Sequence, residues 1–329
     1  MKIAFFSALP VEEPWYELAS NHCITYIPQP LTLETAALAI GHRAVCASVK
    51  DDLSRPVLKI LKKLHVSVIG MRCVGQDTVD SQAMAEFGIT LLRLPGHSPY
   101  AVAEQAVALL LGLIRHLPEA NSRVRTGNFS LDGLIGTDLH GKTVGVIGTG
   151  RIGSVFARIM LGFGCNVLAY DIRPDPRHIE AGIQYGILSD LLPQVDILSL
   201  HCPLTPLTDH LINSHTLSAL KPTTVLINTA RGRLVDTMAI LDALDAGQLA
   251  GYAADVYEWE RAYFHYDYTN KPITDELLNR LRNHPNVLLT AHQAFLTEEA
   301  LRQTARNLLN QFTFYESQQT ILFTKASLY

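Results

Sequence analysis

The stretch Val144-Gly145-Val146-Ile147-Gly148-Thr149-Gly150-Arg151-Ile152-Gly153 constrains this chain more than any other. Its apolar start reads as a strand, the Gly-x-G-x-x-Gly spacing as a tight turn, and Val155 to Met160 as the helix that follows. A second apolar segment ends in Tyr170-Asp171, which sets Asp171 18 residues beyond Gly153. That is close to the offset of about 20 at which a strand-end acid meets a ribose. Gly148 permits the turn, Gly150 lets the backbone approach a pyrophosphate, and Gly153 lets helix pack on strand. Unpaired N–H groups at the helix start then face the anion. Gly148, Gly150, Arg151, Ile152, Gly153 and Asp171 are therefore the expected dinucleotide contacts. Asp171 would accept from a ribose hydroxyl and repel a 2′-phosphate, which favours NAD; Arg173, two residues on, opposes that preference.

Around this unit, short apolar segments alternate with helical patterns along nearly the whole chain, as in parallel sheets covered by crossover helices. Strands are expected at Ile3 to Phe6, Ala44 to Ser48, Val66 to Gly70 and Ile89 to Leu92. A second series has strands near Val144 to Ile147, Val167 to Tyr170, Ile197 to Leu200, Thr224 to Asn228 and Val287 to Thr290. Between the series, Ser98 is a plausible N-cap with Pro99 at the first helical position. The helix it opens carries Val102, Ala106, Leu109, Leu110 and Leu113 at helical spacing and is expected to reach about Pro118. The tail from Thr297 to Phe312 has helix-forming composition, and Ile321-Leu322-Phe323 reads as a last short strand.

The 329 residues suit two domains at roughly 150 residues each. With 48% hydrophobic and 18% charged residues, disorder is excluded. A net charge of −4 argues against a nucleic-acid partner, because phosphate neutralisation needs clustered Lys and Arg. The longest apolar run, Ala106 to Ile114, is about half of the roughly 20 residues a bilayer span requires, so no membrane partner is expected. Met1 to Phe6 breaks at Pro10, Glu12 and Glu13 and reads as a first strand rather than a leader. Five widely spaced cysteines, Cys23, Cys46, Cys73, Cys165 and Cys202, lack any CxxC pair and point to a reducing compartment, the cytoplasm. His201, His210 and His215 show no metal-ligand spacing, so no metal is expected.

In doubly wound sheets ligands sit beyond the carboxyl ends of strands. Three further segments deliver polar residues there. Thr224 to Asn228 leads into Thr229-Ala230-Arg231-Gly232, Ala253-Ala254 leads into Asp255-Val256-Tyr257-Glu258-Trp259-Glu260, and Val287 to Thr290 leads into Ala291-His292. A guanidinium, a carboxylate and an imidazole thus gather at one sheet edge.

Together with Val195-Asp196-Ile197-Leu198-Ser199-Leu200-His201-Cys202-Pro203-Leu204-Thr205, these motifs resemble the D-isomer-specific 2-hydroxyacid dehydrogenases, over essentially the whole chain. His292-Gln293-Ala294-Phe295-Leu296-Thr297 looks like the bacterial fermentative D-lactate dehydrogenases. So does the 32-residue gap from Glu260 to His292, with its insert Tyr263-Phe264-His265-Tyr266-Asp267-Tyr268. The resemblance implies Arg231, Glu260 and His292 as the catalytic set. His292 would exchange a proton with the substrate oxygen, Glu260 would orient its ring, and Arg231 would hold the substrate carboxylate. It further implies substrate contacts from the N–H groups of Val74 and Gly75, from His97 and from Phe295. Cofactor contacts are implied for Cys202, Pro203, Thr229, Ala230 and Asp255.

His97 stands where fermentative relatives usually carry tyrosine, and Thr208 where some carry a cofactor-contacting asparagine. Cys202 is expected to be a buried, inert thiol. The aromatic insert reads equally as a packing patch or a lid.

The expected fold is α/β with two doubly wound parallel-sheet domains. A Rossmann NAD domain, 100–297, is inserted into a flavodoxin-like substrate domain, 1–99 with 298–329. Two crossing helices would serve as hinges, and closure would exclude water. The expected activity is NADH-dependent reduction of pyruvate to D-lactate, by a homodimer or homotetramer acting on a small 2-oxo or 2-hydroxy acid. The alternatives are a dehydrogenase for bulkier acids such as 2-hydroxyisocaproate or phenyllactate, and a non-catalytic NAD-sensing scaffold.

Overall fold

The computed structural model describes residues 1–73, 79–94 and 98–326. Contacts divide the chain into two compact units, Met1–Ser98 with Phe295–Tyr329, and Pro99–Ala294.

In the first unit, β1 (Lys2–Phe5), β2 (Cys23–Tyr26), β3 (Ala44–Ala47), β4 (Val68–Met71) and β5 (Thr90–Arg93) form a parallel sheet in the order β2-β1-β3-β4-β5. This is the flavodoxin-like arrangement. Strands β3 and β4 are buried along their whole length, as a sheet covered on both faces requires. One face packs Val57, Leu58 and Leu61 of helix Arg55–Lys63, and the other packs Leu308 and Phe312 of helix Glu298–Ala326. The long helix lies so close to β4 that a Cβ on Gly70 would come within 2.5 Å of the Phe312 ring.

In the second unit, seven parallel strands follow the order β12-β11-β10-β9-β6-β7-β8. They are β6 (Thr143–Ile147), β7 (Asn166–Tyr170), β8 (Gln184–Tyr185), β9 (Ile197–Leu200), β10 (Val225–Asn228), β11 (Gly251–Ala254) and β12 (Val287–Leu289). Counted from β6 this is the Rossmann order with one strand added, and the order reverses between β6 and β9. Helices Pro99–Ile114 and Arg151–Gly162 cover one face, and Thr237–Asp245 with Glu276–Asn283 cover the other.

Two local expectations are corrected, and two strands are added. Ile321-Leu322-Phe323 is not a strand: it lies within the 29-residue helix Glu298–Ala326. Three apolar residues fit either period, and no glycine or proline interrupts that helix. The helix opening at Pro99 ends at Ile114 rather than near Pro118. Pro118 has no N–H to offer the Ile114 carbonyl, so the chain turns at His116 (φ 51°) and a new helix, Leu117–Arg125, begins. Finally, β2 and β8 are strands that no apolar run announces. Both are edge strands, partly exposed and short, so burial leaves little periodic signal in their sequence.

Candidate active site

The glycine turn occupies the point where the strand order of the second unit reverses. Gly148 follows β6 with φ 89°, and a Cβ there would come within 2.7 Å of the Cys202 backbone nitrogen beyond β9. A Cβ on Gly153 would meet the Gly148 carbonyl oxygen at 1.9 Å, so this glycine is required for the helix to start where it does. At Gly150 a Cβ would meet no protein atom within 4 Å. Packing therefore does not demand glycine at Gly150, and the open space beside its backbone would admit a pyrophosphate. Gly150 caps helix Arg151–Gly162, and Arg151 and Ile152 form its first turn, the end of a helix that favours an anion.

Other cofactor candidates ring the same edge. Asp171 ends the run that follows β7 and accepts the Thr149 N–H at 2.6 Å. Thr229 is buried, and its Oγ1 has no hydrogen-bond partner among the described residues, so it retains a polar atom for a ligand. Burial pushes the Cys202 thiol up to about 11, which keeps it protonated at neutral pH. The adjacent Pro203 carbonyl accepts the Thr208 hydroxyl at 2.7 Å, so Thr208 serves its own loop. Beneath the turn, His201 packs against Phe156 and is bonded to the Ser199 hydroxyl at 2.8 Å. Burial lowers it to about 3, so it is neutral. The loop chemistry and the open polar atoms fit a dinucleotide.

Arg231 follows β10 because Asn228, fully buried at the strand end, folds the chain over itself. Its amide donates to the Arg231 carbonyl at 2.9 Å and accepts from the Ala230 N–H at 3.1 Å. Gly232 then brings this loop against the next, since a Cβ there would stand 2.2 Å from the Tyr257 carbonyl carbon. From that second loop, Glu260 Oε1 meets His292 Nδ1 at 2.7 Å, while Oε2 accepts the Tyr257 N–H at 3.0 Å. Burial alone would push the Glu260 carboxyl up. The bond to His292, that residue's charge, the Tyr257 N–H and the Arg231 guanidinium together outweigh burial and hold it below its usual value. The structure thus joins Glu260 to His292 directly and sets Arg231 within electrostatic reach of the Glu260 carboxylate.

His292 has a left-handed backbone, φ 52°, which costs a non-glycine residue about 1–2 kcal/mol. Asp255 sustains it. Its fully buried carboxylate accepts the Thr290 hydroxyl at 2.5 Å, the Gln293 N–H at 2.9 Å and the Ala294 N–H at 2.8 Å, and its carbonyl accepts the His292 N–H at 2.7 Å. Sequence reasoning placed Asp255 beside the cofactor and missed this clamp, which only the convergence of β11 and β12 creates. Two other partners were also missed. His265 Nε2 donates to the His292 carbonyl at 3.1 Å, and His210 pairs at 2.6 Å with the buried Glu258, which also accepts the Thr237 N–H. The aromatic insert packs: Phe264 is buried near Tyr257, and Tyr263 meets Tyr268.

Val74, Gly75 and His97 lie outside the described residues. Phe295 is half-buried and belongs to the first unit. Among the described residues, no group of three or more His, Cys, Asp or Glu converges as a metal site.

The NAD-binding domain of the D-isomer specific 2-hydroxyacid dehydrogenases matches residues 107–294. The chain belongs to that family. A 2-hydroxyacid dehydrogenase homolog of Schizosaccharomyces pombe is 47% identical over 322 residues, covering 97% of each chain. Among solved structures, the pyruvate reductase of Chlamydomonas reinhardtii superposes with TM-score 0.89 at 40% identity, covering 96% of each chain. The apo D-lactate dehydrogenase of Escherichia coli superposes with TM-score 0.88 at 39% identity, covering 97% of this chain and 98% of that one. As a member of this family the protein is an NAD-dependent dehydrogenase of D-2-hydroxy acids, with two parallel-sheet α/β domains. The non-catalytic scaffold reading is set aside.

Proposed function

We propose that this dehydrogenase reduces pyruvate to D-lactate reversibly, with Arg231, Glu260 and His292 as its catalytic set. The observation that carries the reading is the 2.7 Å bond between His292 Nδ1 and Glu260, with the Arg231 charge acting on the same carboxylate. Because Glu260 accepts at Nδ1, the Nε2 of His292 is the nitrogen left to exchange a proton with substrate. Bound NADH supplies a hydride to the substrate C2 carbon. His292 donates its Nε2 proton to the ketone oxygen and takes it back from the hydroxyl in the reverse direction. Arg231 holds the substrate carboxylate through paired N–H donors, a geometry lysine cannot reproduce. Val74, Gly75, His97 and Phe295 complete the proposed substrate contacts, and Pro203, Ala230 and Asp255 the proposed cofactor contacts, on the family resemblance.

Two further parts of the proposal concern the whole protein. Phe129, Leu131 and Ile135, exposed by 75%, 81% and 91%, are apolar side chains that association into a homodimer or homotetramer would cover. The five cysteines form no disulfide, in keeping with the cytoplasm. No single described helix is long and apolar enough to cross a membrane.

A panel of 2-oxo acids with chiral analysis of the product tests the reading. Pyruvate should give D-lactate with the highest kcat/KM. A higher value for phenylpyruvate or 2-oxoisocaproate would assign the enzyme to bulkier acids, and an L-product would overturn the proposed reaction.

A further inference from the structure

Behind Asp171 runs a chain of polar groups that the proton and hydride transfer does not use. Asp171 Oδ2 accepts the Thr149 N–H at 2.6 Å and the Thr149 hydroxyl at 3.2 Å, while Oδ1 accepts the Arg173 N–H at 2.8 Å. The Thr149 oxygen accepts the Tyr185 hydroxyl at 2.7 Å, and the Tyr185 oxygen lies 3.0 Å from His178 Nδ1. A hydroxyl carries one proton. With that of Thr149 directed at the carboxylate and that of Tyr185 directed at Thr149, the Tyr185 oxygen must accept from the Nδ1–H of His178. Every donor in the chain therefore points the same way, and the chain ends on an anion, where aligned hydrogen bonds reinforce one another.

Three separate segments supply these groups. Thr149 is buried in the glycine turn. Tyr185 comes from the two-residue strand β8, paired with Ala169 of β7 and preceded by the buried Ile183. His178 comes from helix Pro176–Glu180, whose cap Asp175 accepts the Arg177 N–H. A carboxylate offers about four lone-pair directions. Three are taken, which leaves one on Oδ1.

We propose that Thr149, Tyr185 and His178 are positioning residues: they lock the rotation of the Asp171 carboxylate so that its one open lone pair faces the adenosine ribose. They thereby set NADH affinity and the preference for NADH over NADPH. The inference rests on Asp171 being the ribose acceptor. Without Tyr185, Thr149 can turn its proton elsewhere, and the carboxylate regains a rotation that a ribose hydroxyl must then arrest.

The test is equilibrium titration of NADH and NADPH fluorescence on the full-length chain, with steady-state kinetics alongside. Tyr185→Phe should raise the Kd for NADH about three- to tenfold, the equivalent of one modest hydrogen bond. It should change NADPH affinity less, so the preference narrows, and the loss should fall on KM for NADH rather than on kcat. His178→Ala should act in the same direction. His178→Asn, whose amide N–H replaces Nδ1–H, should restore wild-type affinity.

In an Asp171→Ala background, Tyr185→Phe should add nothing. If Asp171→Ala alone leaves NADH affinity and preference unchanged, the ribose reading itself fails. If Asp171→Ala acts while Tyr185→Phe and His178→Ala do not, or if Tyr185→Phe acts equally without Asp171, the positioning role is overturned and the ribose reading stands. Should Tyr185→Phe not fold, the His178 pair decides.

Discussion

Asp255→Ala separates two contributions that the fold combines, holding a loop and aiming an imidazole. The substitution leaves the Ala294 N–H buried without a partner and the Gln293 N–H with partial access to water. At about 1–3 kcal/mol for a fully buried unpaired group and less for the wetter one, the loss is about 2–4 kcal/mol. This exceeds the roughly 1–2 kcal/mol that the left-handed backbone of His292 costs. Without the clamp, relaxation of His292 toward ordinary φ becomes favourable, and the ring leaves Glu260.

Calorimetry should show Tm falling by about 5–15 °C, at about 2–4 °C per kcal/mol for a unit of this size. At a temperature where the variant is folded, kcat for pyruvate should fall at least about tenfold, the equivalent of about 1.4 kcal/mol in the barrier. Asp255→Asn, with one acceptor oxygen in place of two, should lie between wild type and alanine in both measurements. A Tm within about 2 °C of wild type would refute the clamp, given the energies above. A lowered Tm with undiminished kcat would show that the clamp stabilises the loop without aiming His292.

Four shorter tests follow. His292→Gln should lower kcat by about 10²–10⁴, the usual contribution of a general acid, while NADH titration remains near wild type; ordinary turnover removes its assigned role. Arg231→Lys should raise KM for pyruvate at least about tenfold through loss of the paired contact, and an unchanged KM would place the carboxylate elsewhere. His265→Phe should shift kcat without altering NADH affinity, because its Nε2–H donates to the carbonyl of His292 itself; no change in kcat would make that bond incidental. Because the Glu260 carboxyl is held below its usual value, the unfolded chain binds more protons in acid, and stability declines as pH falls through the folded-state value. Acid unfolding followed by circular dichroism should be flatter for Glu260→Gln, and coincident acid limbs would contradict the assignment.

Much of the architecture was legible because buried parallel strands must be apolar on both faces. Runs such as Val225 to Asn228 and Ile197 to Leu200 announce themselves. The edge strands β2 and β8 escape that rule, and Ile321 to Phe323 obeys it without being a strand. In the site, Gly148 and Gly153 were readable because only glycine tolerates contacts as close as those found, whereas the need for glycine at Gly232 came from the Tyr257 loop packed against it. By sequence alone the chain thus determined its two parallel sheets, the position of its dinucleotide turn, and the residue types available for proton transfer.

Partnership was decided by the tertiary structure. Asp255 reaches across 35 residues to Thr290, His265 across 27 to His292, and Tyr185 across 36 to Thr149. A hydrogen bond depends on two atoms within about 3 Å, whereas spacing along the chain records only period and propensity. Backbone pairing between strands brings such distant groups together.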